Sequence, residues 1–135
     1  NREIIKHPEM MFSMLQKGVL LQLNTGSLTG DFGTQVRSTA ETFLMLGWVS
    51  FIASDGHSTT WRKPVLSPAF EVASKIIGEE QALRLVLHNP SKVIQGEDLQ
   101  AGELIPYQGH KSWYVRLCPW INRKSGGGSR GTSRS

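Results

Sequence analysis

Asp55, His57 and Arg62 are the residues whose types and spacing could do chemistry together. Asp55 and His57 are separated by one residue and follow the apolar run Trp48-Val49-Ser50-Phe51-Ile52-Ala53, which reads as a buried strand. A carboxylate and an imidazole at the C-terminal mouth of a strand suit a divalent metal. The carboxylate brings hard oxygens and negative charge, and the imidazole brings a neutral nitrogen donor. Arg62 follows His57 by five residues, and its planar fork of donors suits a phosphate. Metal ligands and a phosphate-binding arginine in one loop point to phosphoester hydrolysis. Spacing alone does not separate this from a plainer reading, a loop aspartate beside a surface histidine.

The elements around that loop follow from periodicity and punctuation. His7-Pro8-Glu9 opens a helix, because proline suits the first helical position and glutamate the positive end of the dipole. Met11, Phe12, Met14 and Leu15 supply its apolar stripe, and Gly18 stops it. Asn1-Arg2-Glu3-Ile4-Ile5-Lys6 reads as a polar-to-apolar lead-in. Val19-Leu20-Leu21-Gln22-Leu23 reads as a strand covered on both faces. The stretch 24–33 carries Gly26, Gly30 and Gly33 and reads as a flexible or tightly turning loop. Its Ser27 and Thr29 could donate to a phosphate, or could serve only as caps. A second helix runs from Thr34, as a cap, to Leu46, with Val36, Ala40, Phe43 and Leu44 on its buried face and Gly47 as its stop. Ser67-Pro68 opens a third helix that ends near Ile77, and Glu79 to Leu87 forms a fourth. Asn89-Pro90 begins a separate single turn that stops at Gly96.

Strand, loop and helix in repetition, with buried strands, predict parallel pairing in an α/β fold. Two strands cannot close a barrel, and as an open sheet they leave edges exposed. The expected organisation is the last part of a larger α/β domain over residues 1–101. Residues 102–135 are expected to be an irregular to disordered basic tail, ending in the low-complexity run Ser125 to Ser135.

The bulk composition narrows the function classes. A chain of 135 residues with 39% hydrophobic and 19% charged residues fits one globular domain. No stretch is long and apolar enough for a membrane span, and no secretory signal opens the sequence. The first residue is asparagine, so the expectation is a sequence that begins inside a larger protein. The single cysteine, Cys118, fits a reducing cytoplasm. It is not followed by the Cys-x5-Arg spacing of a phosphatase thiolate loop. Residues 1–102 hold nine Lys/Arg against ten Asp/Glu, whereas residues 103–135 hold six against one. The net charge of +4 thus belongs to the tail, and nucleic-acid binding by the folded part gets no support from charge.

Four stretches carry a family resemblance: Asn1-Arg2-Glu3-Ile4, Gly26-Ser27-Leu28-Thr29-Gly30-Asp31-Phe32-Gly33, Phe51-Ile52-Ala53-Ser54-Asp55-Gly56-His57 and Asn89-Pro90. With them, the sequence from Asn1 to about Leu99 resembles the C-terminal part of bacterial manganese-dependent protein-tyrosine-phosphatases. These belong to the polymerase-and-histidinol-phosphatase (PHP) superfamily and regulate capsule and exopolysaccharide synthesis. The resemblance implies a fragment of a distorted seven-stranded β/α barrel with its active site at the C-terminal ends of the strands. It implies a cluster of divalent metal ions, typically manganese. Asp55 and His57 would match the final pair of ligands, and Arg62 an arginine that binds the substrate phosphate. It also implies a phosphotyrosine partner, the tyrosine kinase that controls polysaccharide export. Oligomerisation is compatible with it, and neither nucleic acid nor membrane insertion is expected.

The departures set limits. The family's histidine-x-histidine motif, its glutamate and its middle-strand histidines are absent from this sequence. A histidine-proline-glutamate-arginine motif would fall just before Asn1. His7-Pro8-Glu9 has Met10 in place of that arginine and takes no such role. The expectation is a chain that is incomplete and inactive alone. Two other readings are a different PHP phosphoesterase, such as a histidinol phosphatase, and a non-catalytic interaction module.

Overall fold

Two short apolar runs become the strands on which everything else is hung. A computed structural model describes residues 2–57, 65–99 and 102–108. Trp61, Arg62, Cys118 and the basic stretch 109–135 lie outside the described residues. In chain order come α1 (Arg2–Lys6), α2 (Pro8–Leu15), β1 (Leu21–Asn24), α3 (Thr25–Thr29), α4 (Thr34–Met45), β2 (Val49–Ala53), α5 (Ser67–Ile77) and α6 (Glu79–Leu83). A π-helical turn, Arg84–His88, then leads into α7 (Asn89–Ile94). The strands pair in parallel with α4 as part of the crossover, so the α/β expectation holds.

The register fixes what sits at the strand ends. Leu21 pairs with Val49, Gln22 with Phe51, Leu23 with Ile52 and Asn24 with Ala53. Ser50 is the extra residue of a bulge. Its carbonyl accepts a hydrogen bond from Asn89 Nδ2 at 2.9 Å, which ties β2 to the C-terminal helical rod. Along β1, Leu23 is buried and Gln22 is exposed. That alternation replaces the expected strand covered on both faces. The strand also starts later than expected, with Val19 and Leu20 exposed ahead of it.

The core is built around Trp48, only 1% exposed. Its ring lies 5.6 Å from Phe12, 5.1 Å from Phe43 and 6.4 Å from Tyr107 between centroids. Its indole N–H donates to the Ile105 carbonyl at 2.8 Å, and Ile105 N–H donates to Leu46 O at 3.1 Å. Residues 102–108 have no regular structure, yet these bonds dock them on the core. Leu28 and Leu46, both 0% exposed, fill the space beside them.

Several local expectations gave way to the backbone. Residues 2–6, read only as a polar-to-apolar lead-in, form a helical turn. The glycine-rich stretch holds a short helix, α3, closed by Gly30 in the left-handed region at φ 96°. Thr34 and Ser67 are the first helical residues of α4 and α5, and neither helix has a side-chain cap. The fourth helix does not break at Asn89-Pro90. The Asn89 N–H donates to Arg84 O, five residues back. This wider turn shifts the ladder ahead of Pro90, which has no N–H to give. Among the described residues, no helix is long and apolar enough to cross a membrane.

Gly47 joins α4 to β2 with φ 70°. A Cβ there would lie 2.9 Å from the backbone oxygen of Glu103, in the docked segment. Gly47→Ala should therefore destabilise the fold by at least about 1–2 kcal/mol, the cost of a left-handed residue that carries a Cβ. Urea denaturation followed by circular dichroism checks this. An unchanged midpoint would mean that segment 102–108 does not dock as described.

Candidate metal centre

The parallel register brings the C-terminal ends of both strands to one edge. Asp55 stands two residues beyond β2, and its backbone is in the left-handed region at φ 51°. Aspartate is one of the few side-chain-bearing residues that tolerates this conformation. The Thr25 hydroxyl, just past β1, donates to Ala53 O at 3.2 Å and clasps the two strand ends. Asn24 Nδ2 donates to Asp55 Oδ2 at 3.1 Å.

His57 folds back on the same turn. Its Nδ1 lies 2.6 Å from the Asp55 carbonyl oxygen and 3.6 Å from Asp55 Oδ1. A carbonyl can only accept, so Nδ1 is the donor, and in the neutral tautomer that this bond selects Nε2 is the nitrogen left for a ligand. This is the arrangement of a metal-ligating histidine, whose second nitrogen is held by a carbonyl or carboxylate. The His57 side chain is 65% exposed and that of Asp55 33%, so both are reachable from solvent. One hard oxygen donor and one neutral nitrogen donor, adjacent and pre-oriented, fit a divalent cation.

Asp55 lines a cleft of about 910 Å³ together with Asn24, Thr25, Thr29, Asp31 and Phe32. Val65 and Pro68 add to its apolar wall. The Thr29 hydroxyl lies 2.9 Å from Asp31 Oδ2 and 3.2 Å from Thr25 O, and has one proton to divide between them. Gly26 is buried beneath the Phe32 ring. A Cβ at Gly26 would meet that ring at 3.0 Å, so glycine lets the aromatic side chain lie against α3.

The structure thus brings Asp55 and His57 together and puts Thr29 in the cleft that Asp55 lines. Ser27, the other hydroxyl singled out, lines a different cleft of about 270 Å³ with Ile4, Ile5 and Val36. Arg62 lies outside the described residues. His7 is exposed at the start of α2, with Nδ1 3.2 Å from Glu9 Oε1. Asn24 and Asp31 were not singled out from the sequence. Asn24 fell in the loop after a strand read as ending at Leu23, and its place beside Asp55 follows only from the observed Asn24–Ala53 register. Among the described residues, no group of three or more His, Cys, Asp or Glu side chains converges to hold a metal.

A parallel α/β layer with a carboxylate and an imidazole just past the carboxyl end of β2 defines an α/β protein with a candidate cation site. Residues 1–95 match the CpsB/CapC family of capsular polysaccharide synthesis, and the chain belongs to that family. It is 32% identical over 80 residues to tyrosine-protein phosphatase YwqE of Bacillus subtilis (strain 168), covering 59% of this chain and 32% of the relative. It is 30% identical over 119 residues to CapC of Staphylococcus aureus, covering 87% of this chain and 46% of that protein. Among solved structures, it is similar to one from work on YwqE of Bacillus subtilis and CpsB of Streptococcus pneumoniae, described there as unique metal-dependent tyrosine phosphatases. The TM-score is 0.74 at 27% identity, covering 81% of this chain and 44% of the solved one. The chain therefore spans less than half the length of these relatives.

Proposed function

We propose that this chain forms the C-terminal portion of a metal-dependent protein-tyrosine-phosphatase, with residues 1–101 as part of a PHP-type β/α barrel and residues 102–135 as a basic extension. The observation that carries this reading is the Asp55–His57 pair at the mouth of β2, in a chain of the CpsB/CapC family. Asp55 and His57 serve as metal ligands. A bound divalent cation, manganese in this proposal, supplies a lowered water pKa and charge neutralisation for in-line attack on phosphorus. Asp55 places negative charge at the strand end to hold the cation. His57 presents Nε2, with its ring fixed through Nδ1. Arg62 neutralises phosphate oxygens as charge shifts in the transition state. Phe32, Val65 and Pro68 give the cleft an apolar side suited to an aryl group. The substrate in this reading is a phosphotyrosine segment of a bacterial tyrosine kinase that controls polysaccharide export, met by this chain in the cytoplasm.

Two ligands do not assemble a multinuclear site, so the remaining donors come from outside the described residues. The chain alone should give no manganese-dependent turnover of a phosphotyrosine peptide. Grafting residues 1–101 in place of the matching stretch of YwqE should restore that turnover. Histidinol phosphate and single-stranded DNA serve as competing substrates. A folded, metal-loaded chimera that ignores phosphotyrosine, or prefers histidinol phosphate, would overturn the assignment.

A further inference from the structure

We infer that Asn24 is a positioning residue for the metal site. It fixes the Asp55 carboxylate by a neutral hydrogen bond and leaves its charge intact for the cation. The inference rests on the reading of Asp55 and His57 as metal ligands. Asp55 sits past the end of a strand and its side chain is partly solvent-exposed, so a hydrogen bond from the neighbouring strand narrows the rotamers its carboxylate samples. Asn24 supplies one, donating from Nδ2 to Oδ2 at 3.1 Å across 31 residues of sequence. The backbone of Asn24 is itself fixed, because Asn24 is paired with Ala53 in the register and Thr25 clasps Ala53 O.

The sense of the amide is fixed as well. Gln22 lies two residues earlier on the same face of β1, and its Nε2 approaches Asn24 Oδ1 at 3.4 Å. With Oδ1 turned toward that donor, the NH2 group faces the carboxylate; the opposite flip would set oxygen against oxygen. A lysine or arginine at position 24 would also hold Asp55, but it would neutralise the charge a metal needs. An amide donor orients without neutralising. Outer partners of this kind typically change metal affinity by 10–100-fold.

The test is a manganese titration of the isotope-labelled YwqE chimera that carries residues 1–101, following paramagnetic broadening of the Asp55–His57 amides by nuclear magnetic resonance. Asn24→Ala should raise the manganese concentration for half-broadening by at least about tenfold. The thermal midpoint should hardly move, whereas a merely structural role would lower the midpoint and leave the affinity of the folded chain alone. If Asn24→Ala does not fold, Gln22→Leu, at an exposed position, should weaken manganese in the same direction to a smaller degree. Unchanged manganese dependence in the folded variant, with broadening intact in the unsubstituted chimera, would overturn the role of Asn24 and spare the metal site. No broadening at Asp55 and His57 in the unsubstituted chimera, or broadening that persists in Asp55→Ala, would overturn the metal site and this inference with it.

Discussion

Asp55→Asn in the YwqE chimera should lower kcat/KM for a phosphotyrosine peptide by at least about a thousandfold, close to 4 kcal/mol of transition-state stabilisation. The substitution keeps the size and shape of the side chain and its capacity to accept from Asn24 Nδ2. It removes the negative charge and one of the two hard oxygens. A cation at the β2 mouth then faces an amide carbonyl and an imidazole, both neutral, and its occupancy falls. Phosphoryl transfer relies on positioning and charge stabilisation more than on any covalent step by the protein, so loss of the cation removes most of the rate. His57→Ala should act in the same direction. Metal content by mass spectrometry, measured beside the kinetics, separates loss of metal from loss of turnover with metal retained. Full activity of Asp55→Asn would mean that the pair is a loop aspartate beside a surface histidine after all.

The Asp55–His57 pair was legible in the sequence because it is local. Asp55 and His57 are two residues apart, and the apolar run before them announces the strand that delivers them. Helices α2, α4 and α5 were legible for a similar reason, since proline or glycine marks their ends. The neighbours that come from β1 were not. Asn24 reaches Asp55 only through the parallel register, and a one-residue slip of that pairing would turn its side chain to the other face. The division of labour between Ser27 and Thr29 was hidden too. Their stretch was read as a loop, and on α3 the two hydroxyls face different clefts. Segment 102–108 carries no periodic pattern, and its place on the core comes from long-range contacts: Ile105 bonds the Trp48 indole and Leu46 O, and Tyr107 meets the Trp48 ring. The π turn at Arg84–His88 left no signal beyond Pro90, which reads as a break and acts here as a register shift.

Trp48→Ala should be the most destabilising single change in the described core. Removing a buried tryptophan costs about 3–5 kcal/mol in lost transfer energy and cavity. The Ile105 carbonyl also loses its donor, a further 1–3 kcal/mol or so if it stays dry. Domains of ordinary stability have only about 5–15 kcal/mol in all. Trp48 also joins parts of the chain that little else connects: Phe12 from α2, Phe43 from α4 and Tyr107 from the docked segment all meet its ring. Urea denaturation followed by far-ultraviolet circular dichroism should therefore show the midpoint collapsing toward zero denaturant. Trp48→Phe keeps an aromatic ring and loses the indole donor, so its cost should be nearer 1–2 kcal/mol. That milder variant separates fold from site. Trp48 precedes β2 at the end of the sheet opposite Asp55, so a folded Trp48→Phe chain should bind manganese as the parent does. A Trp48→Ala chain with an unchanged midpoint would mean that the aromatic cluster does not hold the fold. A Trp48→Phe chain with normal stability and weakened manganese binding would mean that the core reaches the metal site through β2.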